Sequence, residues 1–125
     1  MKLIPRKLGA IPHVQEHNWL VHSLIYDYLN ETAPKYASGI MADIGCGKKP
    51  YQAIFSRFVS KHIGVDLEDS LHGHSMADVF GSAYNTTLSD CSCNVILCTE
   101  VLEHLESPFQ ALREIKRVLK KKGVV

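Results

Sequence analysis

An acidic residue and two glycines, Asp43-Ile44-Gly45-Cys46-Gly47, join two apolar segments of different period, and that junction restricts the chain more than any other feature. Upstream, Gly39-Ile40-Met41-Ala42 reads as a buried strand. Downstream, Pro50 opens a segment whose Tyr51, Ile54, Phe55 and Phe58 have the spacing of one helix face. Glycines at the carboxyl end of a strand let the backbone turn sharply and approach a bound molecule, because no Cβ intervenes. A second strand-like run, His62-Ile63-Gly64-Val65, ends on Asp66, about 20 residues after the loop. That is where a nucleotide-binding α/β unit places a carboxylate for ribose hydroxyls.

The ligand implied contains adenosine, and two details select among such ligands. A dinucleotide fingerprint has a third glycine where the helix packs on the strand. Here that position is Pro50, so the pattern is G-x-G-x-x-P. Asp43 stands two places before the first glycine, poorly placed beside a pyrophosphate but suited to a cofactor that carries positive charge.

With these residues the chain resembles the class I S-adenosylmethionine-dependent methyltransferases, in particular their type 11 group. Asp43 to Gly47, followed by Lys48-Lys49-Pro50-Tyr51, is similar to the first motif, and Gly64-Val65-Asp66 to the second. Asn94 to His104 resembles the fourth strand and its following turn. Arg117-Val118-Leu119-Lys120 with Gly123 resembles the helix end that leads into the fifth strand. The resemblance implies a three-layer, Rossmann-like α/β core with a mostly parallel sheet, S-adenosyl-L-methionine as cofactor, and methyl transfer to an acceptor of unidentified class. It also implies roles for residues. Gly45, Cys46 and Gly47 line the methionine part, Asp43 faces the amino group or sulfonium, and Asp66 takes the ribose hydroxyls. Ser82 stands where the family commonly has an adenine-binding Asp, with Asp78 as its substitute; Leu67, Ala83 and Thr99 complete the set. Asn94 is a second departure, since an Asp usually begins strand four.

The expected division is 1–37, an N-terminal arm and helix covering the cleft, and 38–125, the cofactor-binding domain, truncated at the start of strand five. An unfinished sheet edge of this kind can pair with a second copy. The 46% hydrophobic content suffices for one core, and the net charge of +1 supplies no field for nucleic acid or an anionic membrane. The N-terminus lacks the apolar core of a signal peptide, and no apolar run approaches the ~20 residues of a membrane span. Four cysteines without CxxC spacing point to a reduced, cytoplasmic setting.

The remaining elements follow from periodicity. A helix is expected over 15–36, with Val21, Leu24, Ile25 and Tyr28 on one face. A polar connection spans 68–74; strands follow at 76–80 and 94–99. The final helix begins with Ser107 as cap, Pro108 in the first position and Gln110 closing a capping box. Its expected buried stripe is Phe109, Leu112, Ile115 and Leu119, with Arg113, Glu114, Lys116 and Arg117 facing water. Lys120 to Lys122 then complement the helix dipole before Gly123 ends the helix.

Glu100, Glu103 and His104 share a face if their segment is helical, and two carboxylates with an imidazole can bind a divalent cation. The expectation is no resident metal, with these three as the residues that would hold one. His104 is also the visible candidate for a general base, required only if the acceptor must lose a proton early. His72-Gly73-His74 and Cys91-Ser92-Cys93 lack partners at ligand spacing and read as loop residues. Two other readings share the strand, glycine loop and acidic residue: a nicotinamide-dependent oxidoreductase, and a truncated cofactor-binding module without catalysis.

Overall fold

The computed structural model describes residues 18–69 and 75–125. After α1 (Trp19–Tyr36) the chain alternates: β1 (Ile40–Ile44), α2 (Gln52–Phe55), β2 (Lys61–Asp66), β3 (Val79–Phe80), β4 (Cys93–Leu97), a 3-10 turn (Leu102–His104), α3 (Pro108–Val118) and β5 (Leu119–Val124). The five strands form one parallel sheet in the order β3-β2-β1-β4-β5. The chain moves outward one way from β1 through β3, then returns to place β4 on the other side of β1. The carboxyl ends of β1 and β4 therefore flank the point where the strand order reverses, the position at which open α/β sheets bind ligands. The expected Rossmann-like, mostly parallel core is present.

Both faces of the sheet are covered, which is why β1 and β4 are almost continuously apolar. On one face Leu29 and Ala33 of α1 join Met41, Tyr51, Ile54, Phe55, Val95 and Leu97. On the other, Ala111, Ile115 and Val118 of α3 pack with Ala42, Ile44, Cys93 and Ile96. Asn94, where an Asp was expected, joins three strands: its Oδ1 accepts the N–H of Ile40 at 3.0 Å and Nζ of Lys120 at 3.1 Å.

Several local expectations are corrected. The last helix ends at Val118, and residues 119–124 form β5. Leu119 and Val124 pair with Cys93 and Val95 around a bulge, where Lys122 has a φ of +68°. Strand pairing outweighs the helix signal of the lysine run. Ser107 makes no side-chain cap bond, so the capping box does not form. Phe109 is 74% exposed and Leu112 is also exposed, whereas Glu114, expected in water, is buried. The helix is rotated because Glu114 accepts the N–H and hydroxyl of Thr86, both at 2.7 Å, and two donors of Arg117. In α1 the expected apolar face is mostly exposed at Val21, Leu24 and Tyr28, and burial falls on Ser23, Leu29 and Ala33. The helix after the glycine loop is a single turn, although Tyr51, Ile54 and Phe55 are buried as expected. Strand three shortens to two residues. The N-terminal arm, residues 15–17 of the expected helix and most of the 68–74 connection lie outside the described residues. No helix among the described residues is long and apolar enough to cross a membrane.

Candidate cofactor and acceptor site

The glycine loop leaves β1 by bonding back to β2: the N–H groups of Gly45 and Cys46 both donate to the Val65 carbonyl, at 2.8 and 3.2 Å. Gly45 and Gly47 have φ values of +69° and +48°, a region costly for residues with a Cβ. A Cβ on Gly47 would meet nothing within 4 Å. At Gly47 the loop thus presents bare backbone to open space, whereas at Gly45 a Cβ would stand 2.5 Å from Val101 Cγ2.

Asp66, at the end of β2, faces that loop. Its Oδ2 accepts the Gly47 N–H at 2.9 Å and the Ser75 hydroxyl at 3.4 Å, and its Oδ1 accepts the Leu67 N–H at 2.8 Å. Each carboxylate oxygen has two acceptor positions; three of the four are taken, so one on Oδ1 remains for a ligand's hydroxyl, and a second opens if the long Ser75 contact is released. Leu67 beside it is exposed.

Asp43 is buried at the end of β1, with Oδ2 at 3.0 Å from Nε2 of His62. Burial pushes its carboxyl above the ordinary value; the hydrogen bond from His62 and the nearby Lys49 charge pull it back. Cys46 is buried, and its thiol is pushed up to about 11, first by burial and then by the charge of Asp43.

The adenine side differs from expectation in its bonding. Asp78 is committed to the protein: its Oδ2 accepts Nζ of Lys49 at 2.6 Å and the Gly64 N–H at 2.7 Å. Those contacts, the Lys49 bond first, hold its carboxyl below the ordinary value. Ser82 Oγ accepts the N–H groups of Tyr84 and Asn85, both at 3.2 Å, closing the turn after β3, and Ala83 is buried in the α3-side core.

The segment after β4 is not a continuous helix. Glu100 has a φ of +54°, and only Leu102 to His104 are helical, as one 3-10 turn. The shared face that would gather Glu100, Glu103 and His104 therefore does not form, because Glu100 lies outside the turn. Among the described residues no group of three His, Cys, Asp or Glu side chains converges as a metal site. Glu100 instead sits 3.6 Å from Nδ1 of His22 on α1, which also lies 3.5 Å from the Tyr51 hydroxyl. Burial, then Glu100 and Asp43, push the Tyr51 phenol up to about 12. His22, Tyr51, His62 and Lys49 escape a reading of local pattern, since each acquires its partner only across strands or helices. A cavity of about 680 Å³ runs between α1 and β4–β5, past Tyr28, Leu29, Val95 and Val124. Of the expected site residues it reaches only Thr99, so it lies beside the glycine loop rather than at it.

Comparison with known proteins extends this geometry. The sequence model described as "Methyltransferase domain" matches residues 42–125. A protein of Mycolicibacterium smegmatis named "Probable S-adenosylmethionine-dependent methyltransferase" is 28% identical over 123 residues, 92% of this chain and 47% of its own length. The crystal structure of the YcgJ protein from Bacillus subtilis superposes with a TM-score of 0.68 at 26% identity, covering 82% of this chain and 48% of that one. A SAM-dependent methyltransferase of Thermotoga maritima gives 0.65 at 23% identity, over 91% and 56%. The chain spans about half the length of the relatives it matches.

Proposed function

Because the chain belongs to the methyltransferase-domain family, we propose that the carboxyl ends of its β1 and β2 bind S-adenosylmethionine for methyl transfer to an acceptor. The observation that carries this is the facing of Gly47 and Asp66: a glycine open on its free side, bonded at 2.9 Å to a carboxylate with acceptor capacity to spare. Bound there, the cofactor supplies an activated methyl group for in-line transfer. The chain's own residues bind and orient. Gly45, Cys46 and Gly47 offer backbone to the methionine part, and Asp43 offers negative charge to a cationic cofactor. Asp66, with Leu67 beside it, receives the ribose hydroxyls. Ser82 and Ala83 border the adenine, and Asp78 supports that side by holding Lys49 and Gly64 in place. Thr99, two residues past the end of β4, completes the cofactor set. Where an acceptor must lose a proton, the imidazole of His22 or of His104 receives it, and Glu100 stabilises the charge that His22 gains.

The same features argue against a nicotinamide cofactor. Pro50 replaces the third glycine, and the Asp43 carboxylate would face a pyrophosphate. Calorimetric titration with S-adenosylhomocysteine and, separately, with NAD tests the reading. Saturable binding of the first alone is expected; binding of NAD alone overturns it.

A further inference from the structure

Asp43 is held from the neighbouring strand. His62 pairs in register with Met41, so its side chain lies on the same sheet face as Asp43, two residues on. Its Nε2 stands 3.0 Å from Asp43 Oδ2, and the two side chains are 6% and 4% exposed. Among the described residues this is the one side-chain hydrogen bond of Asp43. The second ring nitrogen, Nδ1, is buried and has no partner among them. An ionised carboxylate only accepts, so the shared proton sits on Nε2. A proton on Nδ1 would be a buried donor with no acceptor.

We infer that His62 is a positioning residue for the cofactor: its Nε2–H keeps the Asp43 carboxylate ionised and aimed at the cofactor's cationic end. This rests on the reading of Asp43 as a cofactor contact. Lys49 and Asp66 face the same carboxylate, and Cys46, Tyr51 and Cys98 lie within its field. Burial favours the neutral acid, and the His62 bond opposes it. Binding therefore weakens as pH falls through the Asp43 carboxyl's value. Removal of His62 raises that value, so the weakening begins at higher pH.

The test is titration of the full chain and its variants with S-adenosylhomocysteine, which retains the ammonium group, from about pH 5 to pH 9. His62→Leu is expected to bind about ten-fold or more weakly at neutral pH, with its acid fall-off displaced upward. His62→Gln, whose amide N–H replaces the donor, is expected to restore most of the affinity, and Asp43→Asn to abolish the fall-off. A His62→Leu protein with the parent's affinity and pH profile overturns the inference, as does a His62→Gln protein no better than His62→Leu. A parent chain that binds no S-adenosylhomocysteine overturns the cofactor reading instead. Imidazole ¹⁵N shifts in the parent read the ring directly, whether or not a variant folds. The Nε2–H tautomer is expected, and Nδ1–H overturns the inference.

Discussion

The backbone N–H of Gly47 donates to Oδ2 of Asp66 at 2.9 Å, which ties the turn of the glycine loop to the carboxylate at the end of the adjacent strand. Loop shape and the proposed ribose acceptor are thereby one unit. The side of Gly47 that a Cβ would occupy is open, while its N–H is already taken.

Asp66→Ala removes the acceptor of two backbone N–H groups as well as the proposed ribose contact. S-adenosylhomocysteine affinity is expected to fall by about 1.5–3 kcal/mol, the range for hydrogen bonds to a charged group. Calorimetry on a variant with a native circular dichroism spectrum measures this. Unchanged affinity excludes Asp66 from the ribose site.

Two glycine substitutions separate binding from folding. At Gly64 a Cβ would stand 2.5 Å from Lys49 Cε and 2.8 Å from Cys46 Sγ, so Gly64→Ala is expected to destabilise the fold by about 1–3 kcal/mol. Gly47→Ala meets no atom and carries only the cost of its positive φ, about 1 kcal/mol, yet its methyl group enters the open side of the loop. Thermal unfolding should rank Gly64→Ala as the worse folder and titration should rank Gly47→Ala as the worse binder. The reverse order would remove the loop from the cofactor site.

Glu114 links α3 to the segment after β3. Its carboxyl is held at about 2, against an ordinary 4.5, chiefly by the Arg117 hydrogen bonds and then, against the effect of burial, by Thr86. A depressed carboxyl stabilises the fold above its unfolded value, and that stability is lost as pH falls from about 4.5 to about 2. Glu114→Gln should cost about 2 kcal/mol near neutrality, allowing for solvent around Arg117, and should converge with the parent toward the acid limit. Unfolding midpoints of both proteins across that pH range check the sign.

The thiols should differ in reactivity. Burial, then the Asp43 charge, push Cys46 and Cys98 up to about 11, and Cys93 is buried, whereas Cys91 is exposed. Thiolate is the reacting form, so iodoacetamide near pH 8 should modify Cys91 at least about ten-fold faster than Cys46 or Cys98. Peptide mass spectrometry over time reads the order. Fast labelling of Cys46 would show that the glycine loop is open to solvent.

Much of the architecture was legible because it rests on local chemistry. The largely apolar runs at residues 40–44 and 93–97 suit strands in the middle of a covered sheet, and Gly45, Gly47 and Asp66 occupy the positions that a strand-to-helix turn and a neighbouring strand end demand. Boundaries were legible only where no rival partner existed. Lys120 to Lys122 read as a helix end from propensity, but Asn94 and the edge of β4 offer those residues a strand to join.

The sequence by itself determined the fold class and the family, and it supplied the residues proposed for the cofactor site, because period, glycine placement and carboxylate spacing are properties of neighbouring residues. Only the tertiary structure decided which polar groups meet. Asp43 with His62, Lys49 with Asp78, His22 with Glu100 and Thr86 with Glu114 are pairs separated by 19, 29, 78 and 28 residues. Each exists because strand register or helix rotation turned two side chains toward one space, and burying Asp43 with His62 or Thr86 with Glu114 is tolerable only when they meet there.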